Sequence, residues 1–421
     1  MDAGTLRAGL FFCGALGLAG TVRAQQILAP TVSYPVTPPA VMMEDSERTG
    51  YVGNSQDALQ LPDFLDLMRW GPVTLHPHVD YTLSYGSGIE SAPGTQNSSL
   101  VQEVTPGVLL NIGTHWTIDY SPTYTIYSST NLMDNWSQGV QLNGGASIDD
   151  WTFRLHQGYT YSTSPLVETA AQTTTESYNT EFSLSYSFNT AMSTDLNLTQ
   201  SILDAPAETG SRSWNILDYL NYAIYRRFVV AVGVGAGYDQ VSAGTDMTHE
   251  QLQGRISWKA TEKLSLVLHA GTEDRQYIHA GVPPAITPVY GASIDWAPRR
   301  TTSMSLTLDR SVSPSLFLNQ STDTTALGVG FNQQFFKHLN FSASGAYSQT
   351  KYIATSMNIS GFSLSLPGRT DNYYSFSLRL AWQFLKRASV SMYYQYGTDS
   401  SSLNGFNYNS SQEGLQIGYH L

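Results

Sequence analysis

From Val73 onward the chain alternates apolar with small polar side chains in runs of about ten. In the first run Val73, Leu75, Val79, Tyr81, Leu83 and Tyr85 share one phase. Thr74, His76, His78, Asp80, Thr82 and Ser84 share the other. Successive side chains on a strand point to opposite faces, so each run presents one oily and one wet face. A soluble sandwich can alternate too. Here the pattern repeats for roughly eighteen segments with aromatics at their ends, which predicts a transmembrane, antiparallel, up-and-down β-barrel.

Several runs state the rule strongly. Trp116, Ile118, Tyr120, Tyr124 and Ile126 oppose Thr117, Asp119, Ser121, Thr123 and Thr125. Phe228, Val230, Val232, Val234 and Tyr238 oppose Gly233, Gly235, Gly237 and Asp239. Leu252, Ile256 and Trp258 oppose Gln253, Arg255 and Ser257, and Tyr374 to Phe384 alternate with Ser375, Ser377, Arg379 and Gln383. Ser193–Ile202 is weaker, with Leu196, Leu198 and Ile202 opposing Asp195, Asn197 and Thr199. Over Ser213–Ile224 the alternation fixes no phase.

The punctuation is as regular as the strands. Short connections fall near Gly113–His115, Asp149–Asp150, Asn189–Met192, Tyr225–Arg227, Thr261–Lys263, Pro298–Arg300, Phe336–His338 and Leu385–Arg387. Between them lie longer polar stretches, from Gly86–Leu100 and Ser162–Ser177 to Lys351–Asn372 and Thr398–Ser411. Short periplasmic turns alternating with long outer loops are the habit of outer-membrane barrels; the count gives roughly 18 strands, or 16–20 if one hairpin is miscounted. Trp116, Trp151, Trp258, Trp296, Trp382 and Phe228 lie beside short turns on the apolar phase, where an interfacial aromatic girdle belongs. Basic residues such as Arg226, Arg227, Lys386 and Arg387 sit in the same turns. They either meet lipid phosphates or keep the turns solvated.

Composition agrees with this reading. Only 13% of the 421 residues are charged, about half the usual share of roughly a quarter, while aromatics reach 12%. Mean hydropathy is −0.20, as expected when every lipid-facing residue is followed by a wet one. The one sustained apolar run, 8–20, is too short to span a membrane and follows Arg7. With Val22 and Ala24 ahead of Gln25 it predicts a cleaved secretory signal over residues 1–24; the bland alternative is a buried helix. The single cysteine, Cys13, lies inside it, so the mature chain has no thiol for a disulfide or a zinc site. Removing Asp2, Arg7 and Arg23 with the signal takes the net charge from −12 to −13, which argues against a nucleic-acid partner.

Residues 25–72 are distinct. Pro30, Pro35, Pro38 and Pro39 favour extended chain, and Leu61, Phe64, Leu65, Leu67 and Met68 line one side of a short helix starting at Pro62. A periplasmic tether or a plug fits this segment, which leaves 73–421 for the barrel.

The last ten residues, Gln412-Glu413-Gly414-Leu415-Gln416-Ile417-Gly418-Tyr419-His420-Leu421, place Leu415, Ile417, Tyr419 and Leu421 on one apolar face. That strand must pair with the first, because an open edge in lipid leaves backbone groups unsatisfied. Gln412, Gly414, Ile417 and Tyr419 resemble the C-terminal signal read by the barrel-insertion machinery, with Leu421 where an aromatic is usual. Val104–Tyr127, with Thr105-Pro106-Gly107-Val108 leading to Trp116 and Tyr120-Ser121-Pro122, resembles outer-membrane β-barrel porins. The nearest group is the porin-2-like one linked with exopolysaccharide systems. That resemblance implies an outer-membrane channel among lipid, passing small polar solutes or polysaccharide.

No catalytic pattern competes with this. HExxH, P-loop and GxSxG sequences are absent, so neither an enzyme nor a cofactor is expected. Gly233-Val234-Gly235-Ala236-Gly237 lacks dinucleotide-loop spacing and sits inside a strand. His76, His78 and Asp80 share a face at the spacing of strand-borne metal ligands, but wet-face residues need no metal. The wet phase carries Asp80, Asp119, Asp195, Asp239, Glu273, Asp295 and Asp309 against Arg154, Arg255, Arg275 and Arg379. These charges either set ion selectivity or pair across the wall and stiffen it. An acidic excess favours cations or neutral solutes. The expected function is passive diffusion of small hydrophilic solutes, with polysaccharide export or adhesion as alternatives.

Overall fold

The computed structural model describes residues 69–420 apart from 243–244, 279–283, 318–320, 337, 354, 360–361 and 367. The expected signal, the proline-rich segment up to residue 68, and Leu421 lie outside the described residues. Of the expected helix ending at Trp70 only Arg69–Trp70 is described, and it is a short strand paired with Val73 and Thr74.

Eighteen strands form one antiparallel sheet. They are β1 (Val73–Ala92), β2 (Thr95–Ile112), β3 (Trp116–Tyr127), β4 (Asn135–Ile148), β5 (Trp151–Leu166) and β6 (Ala171–Ser187). Then come β7 (Met192–Asp204), β8 (Ser211–Tyr225), β9 (Phe228–Val241), β10 (Met247–Thr261), β11 (Leu264–Tyr277) and β12 (Ala285–Arg299). The last six are β13 (Thr302–Pro314), β14 (Ser321–Phe335), β15 (Leu339–Tyr352), β16 (Arg369–Gln383), β17 (Ala388–Ser401) and β18 (Tyr408–His420). Each pairs with the next, and β18 pairs with β1 from Ser87↔Ser411 to His78↔His420. The sheet is a closed barrel. A small hairpin, Thr355–Ile359 with Phe362–Leu366, stands in the connection after β15.

Register settles the faces, because residues paired across antiparallel strands point the same way. Trp116 pairs with Ile112 and Gly144, Trp258 with Phe228 and Leu266, Trp296 with Leu264 and Met304, and Trp382 with Leu339 and Val390. Trp151, Trp258, Trp296 and Trp382 are all exposed on the outside near the short turns, as the girdle requires. The interior is inverted relative to a soluble protein. The most buried inward side chains include Arg275, Thr123, Ser84 and Asp371, whereas Val232, Val234, Leu252, Met392 and Ile417 are exposed. Large apolar residues covering an outer surface belong in lipid, since soluble monomers rarely expose a contiguous patch of that kind.

The short turns fall where the alternation puts them, but several outer loops are shorter than expected. Gly86–Leu100 is not a loop: β1 and β2 run on to Ala92 and Thr95, joined by Pro93 and Gly94. Gly88, at φ +75°, makes the bulge there possible; a Cβ would sit 1.7 Å from the Asn409 carbonyl oxygen. Ser162–Ser177 likewise narrows to a turn at residues 167–170. Crossing the bilayer takes about 9–11 residues of tilted strand, so the 20 residues of β1 project well beyond it. Out there no lipid enforces an apolar phase, and polar strand reads like loop.

Candidate functional site

The enclosed face is densest in charge on the wall built by β7–β11. The Arg255 guanidinium donates to Asp195 and, at 2.8 Å, to Asn221 Oδ1, and it lies 4.0 Å over the Tyr219 ring. Gly233 makes room for that ring: a Cβ there would meet Tyr219 Cε1 at 2.5 Å. The Tyr219 hydroxyl donates to Gln253 at 2.7 Å, Gln253 to Gln251 at 2.8 Å, and Gln251 to Glu273 at 2.6 Å. Glu273 also accepts from Arg275 Nε at 2.9 Å and Nη2 at 2.6 Å. Arg275 Nη1 reaches Asp239 at 3.1 Å, and His249 Nδ1 lies 3.5 Å from the same carboxylate. One hydrogen-bonded seam thus joins five strands, and its two guanidiniums face three carboxylates. At such low exposure the seam holds only because nearly every charge has its partner.

The outer mouth is gathered by loops. The turn after β5 buries Glu168, Thr169 and Ala170. The Glu168 carboxylate accepts from the Ser315 hydroxyl and from the Leu316 amide at 2.7 Å, and its carbonyl accepts from Arg369 Nη2 at 2.9 Å. Leu316 in turn accepts from the Thr209 amide at 2.9 Å. Arg369 Nε sits 2.9 Å from Asp371, while the guanidinium packs 4.0 Å from the Tyr352 and Phe406 rings and 5.2 Å from Phe317. Connections after β5, β7, β13 and β17 therefore meet over the lumen, tied through Glu168 and Arg369. β1 and β6, not neighbours in the sheet, also come into contact.

Residues 231–419 match the family model described as Putative beta-barrel porin 2. The second half of the barrel carries the porin-2 family pattern. Its place is the outer membrane. A comparison with curated proteins returns no match. Among solved structures, OccAB3 of Acinetobacter baumannii is similar at 7% identity and TM-score 0.43, covering 82% of this chain and 99% of that one. OpdK of Pseudomonas aeruginosa gives 10%, 0.41, 82% and 98%, and OccK9 (OpdG) of the same organism 10%, 0.43, 82% and 98%.

In this barrel the expected wet-face charges all lie on the inward phase, but they are not one group. Asp239, Glu273 and Arg275 sit at one end of the seam and Arg255 with Asp195 at the other. Arg379 is held apart, donating to Gln416 at 2.5 Å, and Asp80 pairs in register with Gly418 on β18. Asp119 accepts from Ser121 at 3.0 Å, Asp295 lies between Ser265 and Ser305, and Asp309 lies 3.9 Å from His269. Arg154 faces inward between Gly145 and Ser183, towards the periplasmic end of β5. The inner wall also holds Tyr219, His249, Glu103 and Arg369, which the sequence reading did not single out. Arg369 was assigned to a loop, and nothing local links Glu168 to a serine 147 positions away. Among the described residues no three metal-ligating side chains converge, so His76, His78 and Asp80 form no metal cluster.

The last strand explains its own composition. Ile417 and Tyr419 face outward at 53% and 42% exposure, paired with Tyr81 and Val79. Gly414 faces inward opposite Ser84, where a Cβ would fall 2.7 Å from the Ser84 Cβ, and Gln412 donates to the Ser84 hydroxyl at 2.9 Å. Small inward and apolar outward residues let β18 close on β1.

Proposed function

We propose that the barrel is a passive channel for small hydrophilic solutes, saccharides among them, with a preference for cations or neutral molecules over anions. The observation behind this is a closed 18-strand wall whose inner face is mostly polar and carries the buried charges. About eight strands would be filled by side chains, whereas barrels of this size enclose an aqueous lumen. Arg255, Arg275 and Arg369 are neutralised by their carboxylates, so the selectivity falls to other inward groups, among them Asp80, Glu103, Asp119, Asp295, Asp309, Arg154 and Arg379. Acids outnumber bases among them. The geometry of β18 supports a reading of Gln412, Gly414, Ile417 and Tyr419, with Leu421 continuing their pattern in the sequence, as the signal for barrel insertion.

Planar-bilayer recordings of the purified chain test the channel. Reversal potentials in a potassium chloride gradient are expected to show cation preference, and sugars of graded size to reduce conductance until they no longer enter. A silent bilayer sinks the channel, and clear anion preference sinks the selectivity. Deleting residues 25–72 should leave conduction in place; loss of polysaccharide secretion with conduction intact would favour export instead.

A further inference from the structure

On the outside of β12–β15, at their outer ends, a cleft of about 390 Å³ opens towards the membrane. Its lining includes Tyr290, Arg310, Asp323, Tyr347, Gln349 and Lys351. Register fixes all of them outward: Arg310 pairs with Tyr290 and Thr325, Tyr347 with Leu327 and Tyr374, and Lys351 with Asp323. Leu308 and Leu327, paired with each other, lie one outward step below Arg310 and Thr325. From Met304 beside the Trp296 girdle to Val312, level with Asp323 and Lys351, is eight residues, about 26 Å of strand and, at a tilt of about 40°, about 20 Å of height. The apolar band of such barrels is about 25 Å tall, so the cleft lies in its upper part, close below the headgroups, within reach of a lysine side chain.

The cleft carries one net positive charge. Arg310 is fixed by Asp323, with Nε to Oδ1 at 2.9 Å and Nη2 to Oδ2 at 2.7 Å, and by the Pro288 carbonyl at 3.2 Å from Nη1. That pair cancels its own charge. Lys351 is exposed, faces Asp323 in register and forms no ion pair among the described residues, leaving one ammonium over the cleft. Gln349 donates to Asn372, as does Tyr347, lining the floor with amides and hydroxyls suited to sugar oxygens. Two strands away the same outer rim turns acidic, with Glu250 paired to Asp274, which bounds the site.

We propose that this cleft binds the phosphorylated saccharide headgroup of an outer-leaflet glycolipid, the phosphate on Lys351 and the acyl chains running down over Leu308 and Leu327. Its position outside the barrel separates it from any solute in the lumen. An amphiphile fits because the charge stands one to two outward steps above the leucines, near the top of the apolar band; a free anion would gain nothing from the leucines.

The test uses the full chain in detergent, with native mass spectrometry against three probes: a bis-phosphorylated glucosamine-disaccharide lipid, the same lipid after dephosphorylation, and inorganic phosphate. The phosphorylated lipid should bind, and Lys351→Glu should weaken it about tenfold or more. Lys386→Glu, in a periplasmic turn, should change nothing. Unaltered heat-dependent gel migration of each variant shows that the barrel is folded. Equal binding by Lys351→Glu, or by the dephosphorylated lipid, overturns the proposal. So does full competition by inorganic phosphate, which would make the cleft a site for free anions.

Discussion

Two walls of the barrel solve the same problem differently. Along β14–β17 the inner face is built of small hydroxyls such as Ser342, Ser344, Ser377 and Ser391, with one bond of 2.7 Å between Ser344 and Ser377. Its outer face is unbroken: Phe331, Val329, Tyr374, Phe376, Leu378, Leu380, Trp382 and Met392. Along β7–β11 the inner face is large, charged and interlocked. There the outer face of β7–β8 is interrupted by Gln200, hydrogen-bonded by Thr180, and by Asp218, which accepts from Thr194 at 3.5 Å. Asp218 stands midway between Trp214 and Tyr222, paired with Leu196 and Val234. One wall relies on lipid contact outside, the other on ion pairs inside.

If the charged wall depends on its seam, breaking it has the largest effect. Arg255→Met leaves Asp195 buried without its partner and should cost about 3–5 kcal/mol. Urea unfolding in phospholipid vesicles measures this, and adding Asp195→Leu should restore most of it. A single-variant loss below about 1 kcal/mol would show that water in the lumen screens the pair and that the seam contributes little.

Below the Arg369–Asp371 pair at its outer end, the hydroxyl wall has no interlocked seam of charges inside, so its weak point there is the lipid face. Leu378→Lys places an ammonium near mid-depth between Tyr374 and Trp382 and should cost about 2–4 kcal/mol in the same assay. An equal substitution at Ser377, on the opposite face of the same strand, should cost far less because its neighbours are solvated. Equal losses at the two positions would mean that this wall does not meet hydrocarbon.

The same contrast explains what was legible in the sequence. Where lipid demands apolar residues outside and the inner positions are small, as in Tyr374–Phe384, phase, strand and girdle follow from the alternation alone. Over Ser213–Ile224 it fails for a physical reason. The inward positions carry Leu217, opposite Gly235, and Tyr219, which packs within the seam, while the outward row carries Asp218. The two faces then have similar hydropathy. The wet-face charges were legible as a set, but their grouping depends on side chains reaching over one or two strands, which periodicity does not encode. The mouth was not legible at all: Glu168, Ser315 and Arg369 meet only once the barrel has closed.

Asp218 gives the smallest effect and the sharpest test of the comparison. A lone carboxylate facing hydrocarbon is unfavourable, though less so than a lysine at equal depth. Thr194 supplies a single long hydrogen bond, and Asp218 is only half-buried, so little offsets that cost. Asp218→Leu should therefore stabilise the barrel by up to about 1 kcal/mol, in contrast to Leu378→Lys on the other wall. It should also extend the unbroken apolar row from Leu196 across to Val234. A destabilised Asp218→Leu would mean that the outer face of β7–β8 is not bathed in lipid but needs its carboxylate for a contact, and the two walls would then differ in what they touch and not only in how they are held.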